Sequence, residues 1–180
     1  MKSNHYKPEA SGFTLLELIA VVAILAVLAA VAMPGMTRLL TSQSTESMAR
    51  RAGDDALFAR SEAIKRNMPV ILCAGSGLSC ATSPTATSWS SGWLVCYDQN
   101  VDGICDTGSS AAPNPLRAQV PSSQDVVMKG PAARLQFNAD GTITGASAPA
   151  FEVSAAAAPK SRWAVRLASS GAISIRREVL

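Results

Sequence analysis

Sixteen consecutive apolar residues, Leu18 to Met33, lie near the start of this 180-residue chain. Counted from Phe13, the apolar stretch is 21 residues long and holds one charge, Glu17. As a helix rising about 1.5 Å per residue it spans about 32 Å, close to the hydrocarbon thickness of a bilayer. Lys2, His5 and Lys7 stand in front of it, a short basic stretch that the positive-inside bias keeps cytoplasmic. A secretory signal peptide would fit the basic start, the apolar core and the small-residue site Ala30-Val31-Ala32. A plain membrane anchor fits as well. Neither uses Glu17.

The hexapeptide Gly12-Phe13-Thr14-Leu15-Leu16-Glu17, followed directly by the apolar run, resembles the type IV pilin signature. The resemblance implies that prepilin peptidase cuts after Gly12, that the new N-terminal Phe13 is N-methylated, and that Glu17 is the fifth mature residue. A carboxylate inside an apolar segment costs on the order of 2.5–3.5 kcal/mol on insertion scales, so it is usually functional and paired. The partner implied by the resemblance is the N-terminal amine of a neighbouring Phe13.

Pro34-Gly35 closes the run. Proline lacks an N–H and clashes with the preceding turn, so a kink or local melting is expected there. Met36 to Asn67 reads as helix again. Leu40, Met48, Ala52, Ala56, Ala59 and Ala63 form a stripe, with Leu57 and Ile64 beside it. Pro69 ends the pattern.

The remainder changes character. Short apolar runs expected as strands are Val70–Leu72, Trp93–Tyr97, Arg117–Val120, Val126–Met128, Leu135–Phe137, Thr142–Thr144, Phe151–Ser154, Trp163–Leu167 and Ala172–Arg176. Ala74–Ser91 reads as a loop or weak hairpin, Ser109–Asn114 as a loop, and Asp140-Gly141 as a hairpin turn. The fold class is α+β: a long N-terminal helix, transmembrane in its first half, packed on a C-terminal antiparallel β domain. The divisions are a 1–12 leader, a 13–34 transmembrane helix, a 35–68 amphipathic helix and a 69–180 β domain. This layout is similar to the GspH/FimT group of minor pilins and pseudopilins. The residues that carry the similarity are Val70-Ile71-Leu72-Cys73 with its loop to Cys80, Ser91-Gly92-Trp93, the acidic stretch from Asp98, and Phe137 to Gly141.

Cys73, Cys80, Cys96 and Cys105 form no C-x-x-C pair, so neither a zinc knuckle nor a thioredoxin-like motif is indicated. Four cysteines allow three disulfide connectivities; the local one, Cys73–Cys80 with Cys96–Cys105, closes two short loops in an exported domain. The one histidine, His5, falls in the leader, so the mature chain would run no His-based triad, dyad or zinc site. No other constellation assembles an enzyme, and no cofactor is expected beyond a weak Ca2+ candidate. That candidate is Asp98, Asn100, Asp102 and Asp106, which match positions one, three, five and nine of an EF-hand loop around Gly103. Position twelve is Ser109 where a glutamate belongs, and an ordinary Asx/Gly turn is the competing reading.

The net charge of +3 is too small to name a partner. Its distribution is more telling: Lys160, Arg162, Arg166, Arg176 and Arg177 cluster near the end, with Arg166 and Arg176 expected on one outer sheet face as candidate DNA contacts. Some FimT proteins bind DNA through Gly-Arg-x-Arg; here the corresponding residues are Gly171-Ala172-Ile173-Ser174, which lack both arginines. The resemblance therefore implies a minor pilin that assembles with other major and minor pilins. It would sit in the bacterial inner membrane with a periplasmic β domain, then in a pilus or periplasmic pseudopilus. Its alternatives are a pseudopilin of type II secretion and a DNA-binding minor pilin for uptake.

Overall fold

The computed structural model describes residues 14–76, 79–82, 85, 88–100, 105–106, 115–120, 124–131, 134–144, 150–157 and 159–180. The chain divides into two compact units, Met1–Leu39 and Leu40–Leu180. Helix α1, Leu15–Arg66, contributes to both.

The helix starts at Thr14, whose Oγ1 accepts the Glu17 N–H at 3.2 Å and so satisfies one of the orphan donors of the first turn. It ends at Asn67, which takes the left-handed conformation (φ 54°). There the Met68 N–H donates to the Ala63 carbonyl and the Asn67 N–H to the Ile64 carbonyl, the paired bonds of a Schellman cap, before Pro69. Of the kink or local melting expected at Pro34, the melting does not occur: the helical assignment runs through it. A missing N–H leaves one i→i−4 bond unmade, and the turns on either side keep theirs.

Among the described residues ten strands follow: β1 Val70–Ser76, β2 Ser79–Cys80, β3 Trp93–Tyr97, β4 Arg117–Gln119, β5 Val126–Lys129, β6 Leu135–Phe137, β7 Ile143–Thr144, β8 Ala150–Ala155, β9 Ser161–Leu167 and β10 Ile173–Val179. They form two antiparallel sheets. One has the order β4-β3-β1-β6-β7 with β2 on β1, the other β10-β9-β8-β5. Of the loop or weak hairpin expected over Ala74–Ser91, the structure shows a short hairpin, β1 with β2. β1 runs on because Cys73 and Ala74 pair with Leu94 and Trp93, β2 folds back on Gly75 and Ser76, and Ser88–Ser91 is a 3₁₀ turn. The expected Ser109–Asn114 loop lies outside the described residues.

The C-terminal part of α1 lays Met48, Ala49, Ala52, Ala56, Ala59 and Ala63 on both sheets, in one core with Val70, Leu72, Val95, Phe137, Phe151, Val153 and Val165. Small side chains bring helix and strand backbones close. A Cβ at Gly53 would meet Ile175 Cδ1 at 2.7 Å. The expected stripe is corrected at three places: Leu40, Leu57 and Ile64 are 54%, 49% and 49% exposed. Leu57 and Ile64 each follow a buried alanine by one residue, which turns them about 100° off the buried face.

The first sheet is buried on its second face too. Ile71, Cys73, Leu94, Cys96 and Cys105 form a smaller cluster there, which is why β3 is buried at all five positions. Arg60 ties the sheets together at their turns. Its Nε donates to the Gly141 carbonyl (3.0 Å) and its Nη2 to the Ser170 carbonyl (3.1 Å). Gly141 and Gly171 both take positive φ, 81° and 78°, and a Cβ at Gly171 would run into the Gly141 carbonyl.

Candidate functional site

The apolar N-terminal segment is helical from Leu15 and exposed: Leu15 and Leu16 are 77% and 78% exposed, and every large apolar residue to Met33 is at least half exposed. By length and composition it is able to cross a membrane. Glu17 sits in the first turn, where the helix dipole favours negative charge. Among the described residues no cation meets its carboxylate. Thr14 and Glu17 are spaced as a capping box, a signal that the sequence carries and the pilin signature hides. Gly12 and Phe13, the expected processing residues, lie outside the described residues.

In the second unit the helix buries three polar side chains that periodicity missed: Thr45, Asp55 and Glu62. Asp55 accepts from the Trp93 indole at 2.8 Å and from Arg117 Nη1 at 2.9 Å. The Arg117 guanidinium in turn lies 3.6 Å from the Phe58 ring centroid. Glu62 accepts from Arg66 Nε (2.8 Å) and from the Tyr97 hydroxyl (3.2 Å). The Arg66 hydrogen bond holds the Glu62 carboxyl below its ordinary 4.5 against the opposing effect of burial. Burial pushes the Tyr97 phenol up. These are ties between helix and sheet; they assemble no catalytic group.

The four cysteines pair as Cys73–Cys80 and Cys96–Cys105. The bridges pack against one another, with Cys80 Sγ 3.0 Å from Cys105 Sγ and all four sulfurs within 4.8 Å. Beside them, the calcium candidate resolves only in part, since Asp102 lies outside the described residues. Asp98 is fully buried, and the Asp106 carboxylate accepts the Gln99 N–H at 2.5 Å. That bond and the Cys96–Cys105 bridge tie Asp106 back to the end of β3, and residues 101–104 between them lie outside the described residues.

Four of the five C-terminal cations fall on β9 and β10, with Lys160 just before β9, and the strands pair so that Ser174 faces Arg166, Arg176 faces Ala164 and Glu178 faces Arg162. Arg162, Arg166 and Arg176 therefore share one outer face, as the alternation requires. The register also brings Glu178 between two of them. Glu178 accepts from Arg162 Nε and Arg166 Nη2, both at 2.8 Å, and Arg162 Nη1 reaches Glu152 at 2.9 Å. The hydrogen bonds from Arg166 and Arg162 hold Glu178 below 4.5, and Glu178 raises Arg162. Arg177 rests on the Ser161 hydroxyl at 3.2 Å, Lys160 is exposed, and Arg176 meets no acid among the described residues.

Comparison with known proteins places this geometry. Residues 49–171 match the family model of type II transport protein GspH, and residues 8–33 match the prokaryotic N-terminal methylation motif. No curated protein matches. Among solved structures, the fold is similar to the Pseudomonas aeruginosa type IV minor pilin FimU in two crystal forms. The P21 form superposes with a TM-score of 0.55 at 20% identity, covering 75% of this chain and 90% of that one. The P65 form gives 0.52 at 20% identity over 73% and 91%. The Vibrio cholerae minor pseudopilin EpsH gives 0.49 at 11% identity over 76% and 97%.

Proposed function

Given that the chain belongs to the GspH family, we propose that it is a minor pilin of a type IV pilus, acting in assembly or priming at the filament tip. The observation that carries this reading is the exposed apolar helical segment whose one carboxylate, Glu17, meets no cation among the described residues and lies within the matched methylation motif. Such a surface is stable in lipid, or against like helices once it leaves the membrane. Processing at Gly12 and methylation of Phe13 would supply an N-terminal amine to pair with the Glu17 carboxylate of a neighbouring subunit. The function is recognition and assembly.

The test is direct. Intact-mass analysis of the membrane-extracted protein should show a chain beginning at N-methylated Phe13, and sheared filaments should contain it. A mature start at Met33 would end the pilin reading. A pseudopilin role in type II secretion has the family model's own description in its favour. Loss of secreted enzymes with intact pili, after deletion, would select that role. A DNA-uptake role draws on Lys160, Arg176 and Arg177, since Arg162 and Arg166 are already committed to Glu152 and Glu178.

A further inference from the structure

The second sheet has two edges, and the chain treats them differently. At the β5 edge, the Ser90 hydroxyl donates to the Met128 carbonyl (3.0 Å) and accepts the Met128 N–H (2.9 Å), so the strand is capped. In the first sheet, β7 is capped in the same spirit by the Ile143 N–H donating to the Ser169 carbonyl, and β4 is three residues long. β10 is seven residues, without proline or bulge, in unbroken register with β9.

Which of its backbone groups are free follows from the pairing. The Ala168 N–H donates to the Ala172 carbonyl and the Leu180 N–H to the Lys160 carbonyl, at the two ends of the ladder. In an antiparallel pair alternate residues carry the bonds, so Ser174, Arg176 and Glu178 bond to β9. The N–H and C=O groups of Ile173, Ile175, Arg177 and Val179 point out of the sheet, and among the described residues nothing meets them. The Val179 side chain is 87% exposed at this edge. On the opposite face Arg176 meets no acid among the described residues, because Glu178 is held by Arg162 and Arg166.

We propose that the β10 edge is a strand-addition site for an extended, carboxylate-bearing segment of another polypeptide. Such a segment would bond to the outward amides and carbonyls, cover Val179, and place an acid against Arg176. A second copy fits poorly: antiparallel self-pairing over the full strand centres on Arg176 and sets it against its own copy, and like charges directly opposite are destabilising. The inference rests on the strand edge and is independent of the filament role.

The experiment uses the full chain in detergent micelles and a labelled peptide of alternating glutamate and valine, about eight residues long to match the strand. Saturable binding by anisotropy should coincide with hydrogen-exchange protection of Ile175, Arg177 and Val179. A lysine–valine peptide should bind at least about tenfold more weakly, as cross-strand charge requires. Val179→Pro and Arg177→Pro remove an outward N–H without touching the bonds to β9, so each should weaken binding by about tenfold or more. Arg176→Glu, which leaves the backbone alone, should reverse the preference between the two peptides. Absence of protection on β10, equal affinity for both peptides, unchanged binding by both proline variants, or tighter binding of short duplex DNA than of the acidic peptide would each overturn the proposal.

Discussion

The Trp93 indole N–H donates to the Asp55 carboxylate at 2.8 Å, and both residues are 2% exposed. Together with the Tyr97–Glu62 bond, this contact anchors α1 to β3 in a largely apolar core. Asp55→Ala would leave the indole N–H buried without an acceptor and Arg117 without its acid. Such a loss costs about 2–4 kcal/mol, whereas Asp55→Asn keeps the acceptor and should cost less, because Arg117 is partly solvated. Denaturant titration followed by tryptophan fluorescence measures both; equal losses would mean that the charge, not the acceptor, matters.

Gly171→Ala should destabilise the second unit. The positive φ disfavours a side chain, and the added Cβ meets the Gly141 carbonyl, which belongs to the other sheet. A cost of about 1–3 kcal/mol is expected from the conformation alone. Arg60→Ala removes two hydrogen bonds from the same place and should cost a similar amount. The double variant should lose less than the sum of the two, since both act on one junction.

Acid should weaken the fold through Glu62 and Glu178. Both carboxyls are held below 4.5 in the folded chain, so the unfolded chain binds protons first as pH falls. Their contribution is complete above the unfolded value, and it is lost as pH drops through the folded ones. The melting temperature should therefore stay level from neutral pH down to about pH 5 and fall below it. Glu62→Gln should shallow that fall; an unchanged acid limb would remove Glu62 from the account.

Mild reductant should open Cys73–Cys80 before Cys96–Cys105. Cys80 is partly exposed, whereas Cys96 is fully buried and Cys105 nearly so. Differential alkylation with mass spectrometry reads the order. Each bridge closes a short loop and should contribute about 2–3 kcal/mol by restricting the unfolded chain.

Glu17→Ala should leave membrane insertion intact and reduce recovery in sheared filaments. Wild-type recovery would show that the carboxylate has no assembly role.

The helix and most strands were legible because their signals are local. Sixteen apolar residues in a row, and Trp93–Tyr97 between turn residues, need no tertiary context. The local cysteine pairing was foreseen as one of three, and β1 and β3 place the partners together. The buried face of α1 was blurred because alanine marks a core weakly: Ala49 looks no more buried than its neighbours, and Leu57 looks more buried than it is. The partners of the C-terminal arginines were not legible at all. That Glu178 falls between Arg162 and Arg166 depends on the β9–β10 register, and that Glu152 reaches Arg162 depends on β8 lying alongside. The joint face of Arg166 and Arg176 was expected from alternation, but its charge was overcounted.

The face of alanines that α1 turns to the sheets has a mechanical side. Small side chains give close approach but little interlocking, so a pull along the helix axis finds few knobs to resist sliding. Resistance falls instead to the polar ties at Asp55, Arg60 and Glu62, which a tensile load would stretch side by side and not one after another. These residues span about 10 Å of helix, at the usual rise. The force at which helix and sheets part is set by these few bonds more than by the area that the alanines bury.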